Sequence, residues 1–297
     1  MKISAFGHCW VLRWPWVLAV LAVAAVPAGL SAWQWQRGED KLATLARIAQ
    51  WEREGAVGLA RLAELAAAPG RAAMGASSRD IDAASVGVAS VGVMNDSASA
   101  RARRAVVDGV QLDFEARWIA PMVWLVDNRI VDRQPGYDVV IAVEDLADVR
   151  AAGSSGAAPR AALVNLGWIA AEGGRDALPV PAIPAQLRVQ GIFRTDVTGL
   201  LLGANVEDHG HWPMRIQQAD PAQLAPWLAV PLAPGLIQQQ QGSPFHIHYR
   251  PVVLPPERHR GYALQWGLIA LAVIGVALAA SARRLPIESG EIAHEQS

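Results

Sequence analysis

Residues 259–282 read HRGYALQWGLIALAVIGVALAASA, a basic, histidine-bearing segment that leads into a long apolar run. Within that run, only Gln265 and Ser281 are polar. A helix of about 20 apolar residues spans the ~30 Å hydrocarbon core of a bilayer. The stretch therefore predicts a membrane-spanning helix over residues 259–282, with its polar outer end at the membrane surface.

A second apolar segment lies near the start of the chain. Residues 16–33 carry no charge, and tryptophans lie at both ends, as is typical of the headgroup boundary. Pro27 is compatible with a membrane helix, where neighbouring groups satisfy the freed carbonyl. A cleaved signal peptide is the alternative, because Lys2 and Arg13 precede the apolar run, but no clean A-x-A site follows. The segment therefore predicts a retained first span.

Two spans place both termini on the same side of the membrane. Lys and Arg are almost evenly distributed around the span ends, so charge does not decide the orientation. A large domain between two spans is translocated largely regardless of its charge. We therefore predict cytoplasmic tails at residues 1–15 and 283–297 and an extracytoplasmic domain at residues 34–258. The N-terminus lacks the features of a mitochondrial presequence, which favours a bacterial inner membrane with a periplasmic domain.

Composition and motifs exclude several functional classes. The net charge of −1 gives no reason to expect a nucleic-acid partner. The single cysteine, Cys9, lies in the first tail, so the outer domain has no disulfide. No GxSxG, GxxxxGK or HExxH motif is present, which argues against an enzyme. The HxH pairs His209/His211 and His246/His248 are more often surface residues, although alternate strand positions share a face and His246 and His248 would then hold a metal together.

The outer domain is predicted to be a mainly antiparallel, β-rich α+β unit. Apolar residues at helical spacing predict a helix from Glu39 to Ala68, and Asp220 followed by Pro221 predicts a short helix that ends at Leu228. Residues 71–104 are rich in Ala, Ser, Gly and Arg and predict a flexible insertion. Alternating apolar residues predict strands at 106–114, 123–131, 137–143, 162–170, 186–193 and 245–254.

Four motifs stand out from this periodic pattern. They are WQWQR (residues 33–37) with Lys41, PGY (residues 135–137) followed by Val139 and Val140, VN and GW (residues 164–165 and 167–168), and His259, Tyr262, Ala263 and Trp266. In this order they resemble the Surf1 family of cytochrome c oxidase assembly proteins. Leu166 stands where the family usually has Arg and Ala142 where proline is common, so no role of those two family residues is carried over.

The resemblance implies a membrane-anchored assembly factor, not an enzyme, for haem-copper cytochrome c oxidase. Its expected role is to assist haem a insertion into subunit I or to stabilise that subunit. The implied partners are subunit I, the proteins that synthesise haem a and the lipid bilayer, and haem a is the implied transient ligand. The alternative function is a membrane-anchored extracytoplasmic binding or sensing module with an unrelated ligand.

Helical spacing brings the matched polar residues to the outer ends of the two spans. Gln34 and Arg37 share one face of the first helix, and His259, Tyr262 and Trp266 share one face of the second. These five residues form our hypothetical haem site, with His259 as axial ligand of the iron and Arg37 facing the anionic groups. The alternative interpretation is that they anchor the helices to lipid headgroups.

Overall fold

The computed structural model describes residues 2–5, 8–11, 14–67, 106–150, 160–173, 177–195, 201 and 203–284. The insertion predicted at residues 71–104 lies outside the described residues. Contacts divide the chain into a helical unit, Met1–Ala43 with Val252–Ser297, and a sheet unit, Thr44–Pro251.

The elements follow one another in a simple order. They are β1 (Lys2–Ala5), β2 (His8–Val11), α1 (Trp14–Glu54), α2 (Leu59–Ala67), β3 (Gln111–Val131), β4 (Gln134–Asp145), α3 (Leu146–Arg150), β5 (Ala161–Ala170), β6 (Gln186–Arg194), β7 (Val206–Glu207), β8 (Met214–Ile216), α4 (Pro221–Leu224), a 3-10 helix (Ala225–Trp227), β9 (Leu232–Gln239), α5 (Pro256–Ser281) and β10 (Ala282–Arg284).

Two helices are long and apolar enough to cross a membrane. The most apolar windows of α1 and α5 have mean hydropathies of 1.9 and 2.1, and only 11% of the residues in each window are buried. Large side chains such as Leu18, Leu264 and Leu271 are exposed along them. Such exposure suits lipid better than water. The prediction of two apolar helices flanking a sheet domain is therefore confirmed, although α1 extends well beyond residue 33 and β1, β2 and β10 pair as a small antiparallel sheet in the predicted tails.

The sheet unit is built around a closed ring of five strands. β3 pairs with β4, β4 with β5, β5 with β9, β9 with β6, and β6 with β3, while β8 and then β7 extend the sheet beside β3. Of the pairings in this sheet, β5–β9 and β3–β8 are parallel and the other five are antiparallel. The predicted mainly antiparallel α+β domain is confirmed, and the closure of the ring is an additional finding.

The central residues of strand β4 are apolar on both faces because both faces are buried. Val139, Ile141 and Val143 pack into one apolar cluster, and the alternating Val140 and Ala142 pack into a second cluster that includes residues of β8 and α4. Successive strand residues point to opposite faces. Because both faces are covered, the usual polar alternation is lost, and each buried valine contributes about 1.5–3 kcal/mol.

The predicted helix from Glu39 to Ala68 is interrupted. Gly55 adopts φ +88° and its N–H donates to Trp51 O at 3.1 Å, which ends α1 in the left-handed conformation that favours glycine. Val57 then forms a parallel bridge with Leu112 of β3. The second piece, α2, buries one leucine face in the core of the sheet unit, formed by Leu59, Leu62 and Leu65.

Other predicted elements differ in extent. The predicted strands at 106–114 and 123–131 belong to one long strand, β3, that begins at Gln111. The short helix after Asp220 is confirmed, because Asp220 Oδ1 accepts the N–H of Ala222 at 3.0 Å. Residues 245–254 are not a strand and contribute one bridge, between Trp168 and His246.

Strand β9 was not predicted, because Pro234 and Gly235 interrupt its apolar pattern. A Cβ at Gly235 would lie 2.5 Å from the Phe193 ring and 2.6 Å from Arg194 O, so only glycine lets β9 approach β6 this closely. The glycine that weakened the sequence signal is thus what allows the ring to close.

Candidate functional site

The helical unit brings together two of the five predicted haem-site residues. His259 on α5 lies beside Gln34 on α1, with 2.8 Å between His259 Nδ1 and Gln34 Oε1. Since the amide oxygen can only accept, the imidazole Nδ1–H donates this hydrogen bond. In the neutral imidazole, this hydrogen bond selects the tautomer with its proton on Nδ1 and its lone pair on Nε2.

Small residues let the two helices approach at this point. The position of a Cβ on Gly38 would be 3.5 Å from His259 Cβ, and Ser31 Oγ donates to Ala263 O at 2.7 Å. Gly267 also faces Ser31 Oγ. The face of α1 that meets α5 is therefore defined by Ser31, Gln34 and Gly38, and small residues at such contacts are typical of helix pairs in membranes.

The other three predicted site residues are exposed or half-buried. Arg37 is exposed, and its guanidinium lies 6.0 Å from the ring centre of Trp33. Tyr262 is 45% exposed, and Trp266 is half-buried. Gln34 and His259 are both half-buried, and their hydrogen bond is the contact that the structure shows within the predicted set.

A second cation, Arg260, was not among the predicted site residues. Its guanidinium donates to Glu39 Oε1 at 3.0 Å and lies 5.5 Å from the ring centre of Trp35. Both partners belong to α1, so Arg260 ties the two helices together next to the His259 contact. The WQWQR motif, which alternates tryptophan with glutamine and supplies Trp35, was the available signal for this contact.

The sheet unit holds a buried polar cluster at other motif residues. Asp138 on β4, with its side chain 5% exposed, receives Arg129 Nε at 3.1 Å, Asn165 Nδ2 at 3.3 Å and His248 Nε2 at 2.6 Å. Asn165 Nδ2 also donates to Gln238 Oε1 of β9 at 3.0 Å. This Asp138 cluster joins β4, β5 and β9 to the segment that carries His248, and sequence reasoning did not identify Asp138.

The geometry of the Asp138 cluster indicates a structural role. The hollow lined by Asn165, Gln238 and His248 has no room for a water molecule. His246 packs edge-on against Trp168, with ring centres 6.5 Å apart, while His248 binds Asp138. The hypothesis that His246 and His248 share a strand face and a metal is therefore wrong, because the segment is not a strand and each imidazole has a different partner.

The glycines of the PGY and GW motifs are explained by close packing. A Cβ at Gly136 would lie 2.2 Å from Ile169 O and 2.4 Å from the Trp168 indole. Gly167 adopts φ +122°, and a Cβ there would lie 2.7 Å from His246 O. Both positions accept only glycine, because the indole of Trp168 and the backbone of His246 occupy the space that a side chain needs.

The two departures from the Surf1 pattern lie in apolar surroundings. Leu166 is 1% exposed and belongs to the cluster inside the ring, and Ala142 is fully buried on the opposite face of the sheet. Apolar side chains satisfy both positions. An arginine at residue 166 would need a buried partner for its charge.

Tyr137 of the PGY motif is linked to an ion pair between the buried Arg215 and the more exposed Glu207. Arg215 on β8 hydrogen-bonds to Glu207, with 2.9 Å between Arg215 Nε and Glu207 Oε2, and also to Tyr137. The carboxylate of Glu207, and to a lesser degree Tyr137, raises the pKa of Arg215 above its ordinary value against the effect of burial. Arg215 is therefore a permanent cation that fixes β7 to β8.

Comparison with known proteins gives one positive result. A family model described as "SURF1 family" matches residues 21–271, which covers both apolar helices in large part and the whole sheet unit. No curated protein matches the chain. The matched range includes all four motifs and all five predicted site residues.

Proposed function

The chain belongs to the SURF1 family, and from this membership we propose that it is a membrane-anchored, non-enzymatic assembly factor for haem-copper cytochrome c oxidase. Its proposed task is to hold haem a and assist its insertion into subunit I, or to stabilise subunit I during that step. Subunit I and the proteins that synthesise haem a are the proposed partners. The family match and the two apolar helices support a membrane-bound assembly role.

The proposed location follows from the two helices. α1 and α5 would both cross a bacterial inner membrane, with the termini in the cytoplasm and the sheet unit in the periplasm. Support comes from the apolar windows of both helices and from the rule that a large domain between two spans is exported regardless of charge.

The hydrogen bond between His259 and Gln34 is the observation that carries the haem proposal. A metal-binding imidazole is usually held by a hydrogen bond from its other ring nitrogen, which fixes its tautomer and raises its basicity. Gln34 Oε1 is the acceptor for His259 Nδ1–H, and in the neutral tautomer that this bond selects, Nε2 offers the lone pair that an iron centre requires. Haem a is cargo in this proposal, and when bound it supplies an iron with an axial position for a neutral imidazole.

The remaining residues suit a flat, amphipathic ligand. Arg37 is exposed and offers a cation to an anionic side group of the haem. Tyr262 and Trp266 present amphipathic rings on the same helix as His259. We propose that His259 binds the iron, Gln34 positions the imidazole, and Arg37, Tyr262 and Trp266 hold the periphery.

Absorption spectra test this assignment directly. The full-length protein, purified in detergent from cells that make haem a, should carry haem a. His259→Ala should lose it, and Gln34→Leu should weaken haem binding by about 10–100-fold, the usual effect of losing such a supporting bond. Gln34→Glu, which keeps an acceptor, should bind more tightly than Gln34→Leu.

Matched controls separate ligation from loss of fold. His294→Ala, in the C-terminal tail, should retain full haem content, and Arg37→Ala should insert normally into the membrane but bind less haem. Absence of haem from the parent protein, or unchanged haem in His259→Ala, would leave the five residues as lipid anchors and favour the binding module with an unrelated ligand.

A deletion strain tests the assembly role. An assisting factor accelerates a step that still occurs slowly without it, so deletion should lower oxidase activity and haem a per subunit I while leaving a residual active fraction. Subunit synthesis should continue. Full activity and normal haem occupancy, in a strain without a second copy, would contradict the assembly role.

A further inference from the structure

The loop between β7 and β8 places two imidazoles side by side. It has the sequence Asp208-His209-Gly210-His211, directly after Glu207. Asp208 Oδ1 accepts the N–H of Gly210 at 2.8 Å, and Gly210 adopts φ +73°. This tight turn reverses the chain between the two histidines. Their ring centres are consequently 6.2 Å apart, with the ring planes tilted by 32°.

That separation suits two imidazoles on one metal ion. With a metal–nitrogen distance of about 2.0–2.1 Å, a metal lies roughly 3.2 Å from each ring centre, so ligand angles of about 90°, 109° and 180° set the centres about 4.5, 5.2 and 6.4 Å apart. The observed 6.2 Å falls inside this range. Both side chains are exposed, so rotation about their χ angles is what would bring one nitrogen of each ring to the same ion.

The surroundings of the pair allow an ion and its waters to enter. Both histidines line an open hollow of about 490 Å³ together with Trp212 and Arg215. The side chain of His209 is 54% exposed, and its Nε2 lies 3.8 Å from Glu207 Oε2. The Glu207 carboxylate also binds Arg215, so the charge of the arginine is compensated beside the hollow.

We propose that His209 and His211 form a binding site for a divalent late transition-metal ion, completed by water. Imidazole ligands suit Cu(II), Ni(II) and Zn(II), and Cu(II) binds most tightly in the order of divalent metals. Among the residues that the structure describes, no group of three or more His, Cys, Asp or Glu side chains is placed to hold a metal. The site therefore has two protein ligands and exchanges its ion with solvent.

Titration of the full-length protein in detergent with CuCl₂ tests the site. The parent protein should bind one more equivalent of Cu(II) than His209→Ala/His211→Ala, and its electron paramagnetic resonance spectrum should show coupling to two nitrogens. Each single alanine variant should weaken this equivalent by at least tenfold. ZnCl₂ should compete only at a higher concentration than CuCl₂.

Two further variants test the role of the turn. Asp208→Ala removes the acceptor for Gly210 but keeps both imidazoles, so it should weaken Cu(II) binding, whereas Asp208→Asn keeps an acceptor and should bind as the parent does. Circular dichroism checks that the sheet unit is unchanged. Equal copper stoichiometry and affinity in the parent and the double variant would overturn the site, and so would an equal loss in the tail variant His294→Ala.

Discussion

Substitution of Asp138 tests whether its buried cluster holds the sheet unit together. Asp138→Ala removes the acceptor of three donors, from Arg129, Asn165 and His248. Removing one partner of a buried ion pair costs about 3–5 kcal/mol. Arg129 is 46% exposed and regains water, so we take the lower end, about 3 kcal/mol. That value corresponds to a fall of about 6–12 °C in Tm for a domain of 150–250 residues.

The assay is thermal unfolding of the full-length protein in detergent, followed by near-ultraviolet circular dichroism. Asp138→Asn keeps the shape and one acceptor, so it should cost less, about 2 kcal/mol. The matched control is Glu115→Ala, which removes an exposed carboxylate from β3 and should stay within about 0.5 kcal/mol of the parent. If Asp138→Ala lowers the Tm no more than Glu115→Ala does, the idea that the Asp138 cluster holds the sheet unit together is refuted.

Three further predictions concern topology, packing and pH. Alkaline phosphatase fused after residue 110 should be active and after residue 290 inactive; activity at the second position would contradict the predicted orientation. Gly235→Ala should destabilise the sheet unit by about 1–3 kcal/mol, as measured by denaturant unfolding, because its Cβ would lie 2.5 Å from the nearest ring atom. The hydrogen bond from Arg188 lowers the pKa of Asp113. The ionised Asp113 should therefore add a small amount to the free energy of unfolding at neutral pH, and this amount should be lost as the pH falls below the usual carboxyl pKa of ~3.9. The unfolding curves of the parent and Asp113→Asn should consequently converge in acid.

Local periodicity predicted the elements that carry regular patterns. The two apolar helices and strands β4, β5 and β6 follow directly from apolar runs and alternation, as the structure confirms. β9 was missed because Pro234 and Gly235 lower strand propensity, and the reason for Gly235 lies in its contact with Phe193, more than 40 residues earlier. A contact between distant segments leaves no periodic signal at either one.

In the predicted haem site, too, local spacing was informative and the contacts between distant segments were not. Helical spacing placed Gln34 and His259 at the outer ends of the two spans, and the structure pairs them. Spacing also grouped Gln34 with Arg37, yet the face of α1 that meets α5 runs through Ser31, Gln34 and Gly38. The rotation of α1 is set by where small residues permit close approach, which a count of polar spacing does not contain.

The Asp138 cluster was not predicted from the sequence, for a different reason. Its members come from β3, β4, β5, β9 and the segment before α5, and nothing within each separate stretch indicates that they meet. The HxH pattern at 246–248 suggested a shared strand face, but residues 245–254 do not form a strand. Only the closed ring brings His248 to Asp138.

Closure of the ring by β9 sets the order in which this protein can mature. β9 bonds to β5 and β6, both of which precede it, so the ring stays open until residue 239 has been made available. Only 16 residues then separate β9 from α5, since β9 ends at Gln239 and α5 begins at Pro256. In the proposed topology, with the sheet unit exported between two membrane helices, almost the whole outer segment must cross the membrane before the ring can close. Until then the unpaired edges of β5 and β6 are open to wrong partners. In that topology, the speed of export and the chaperones outside the membrane, rather than the stability of the finished ring, should govern how much protein accumulates.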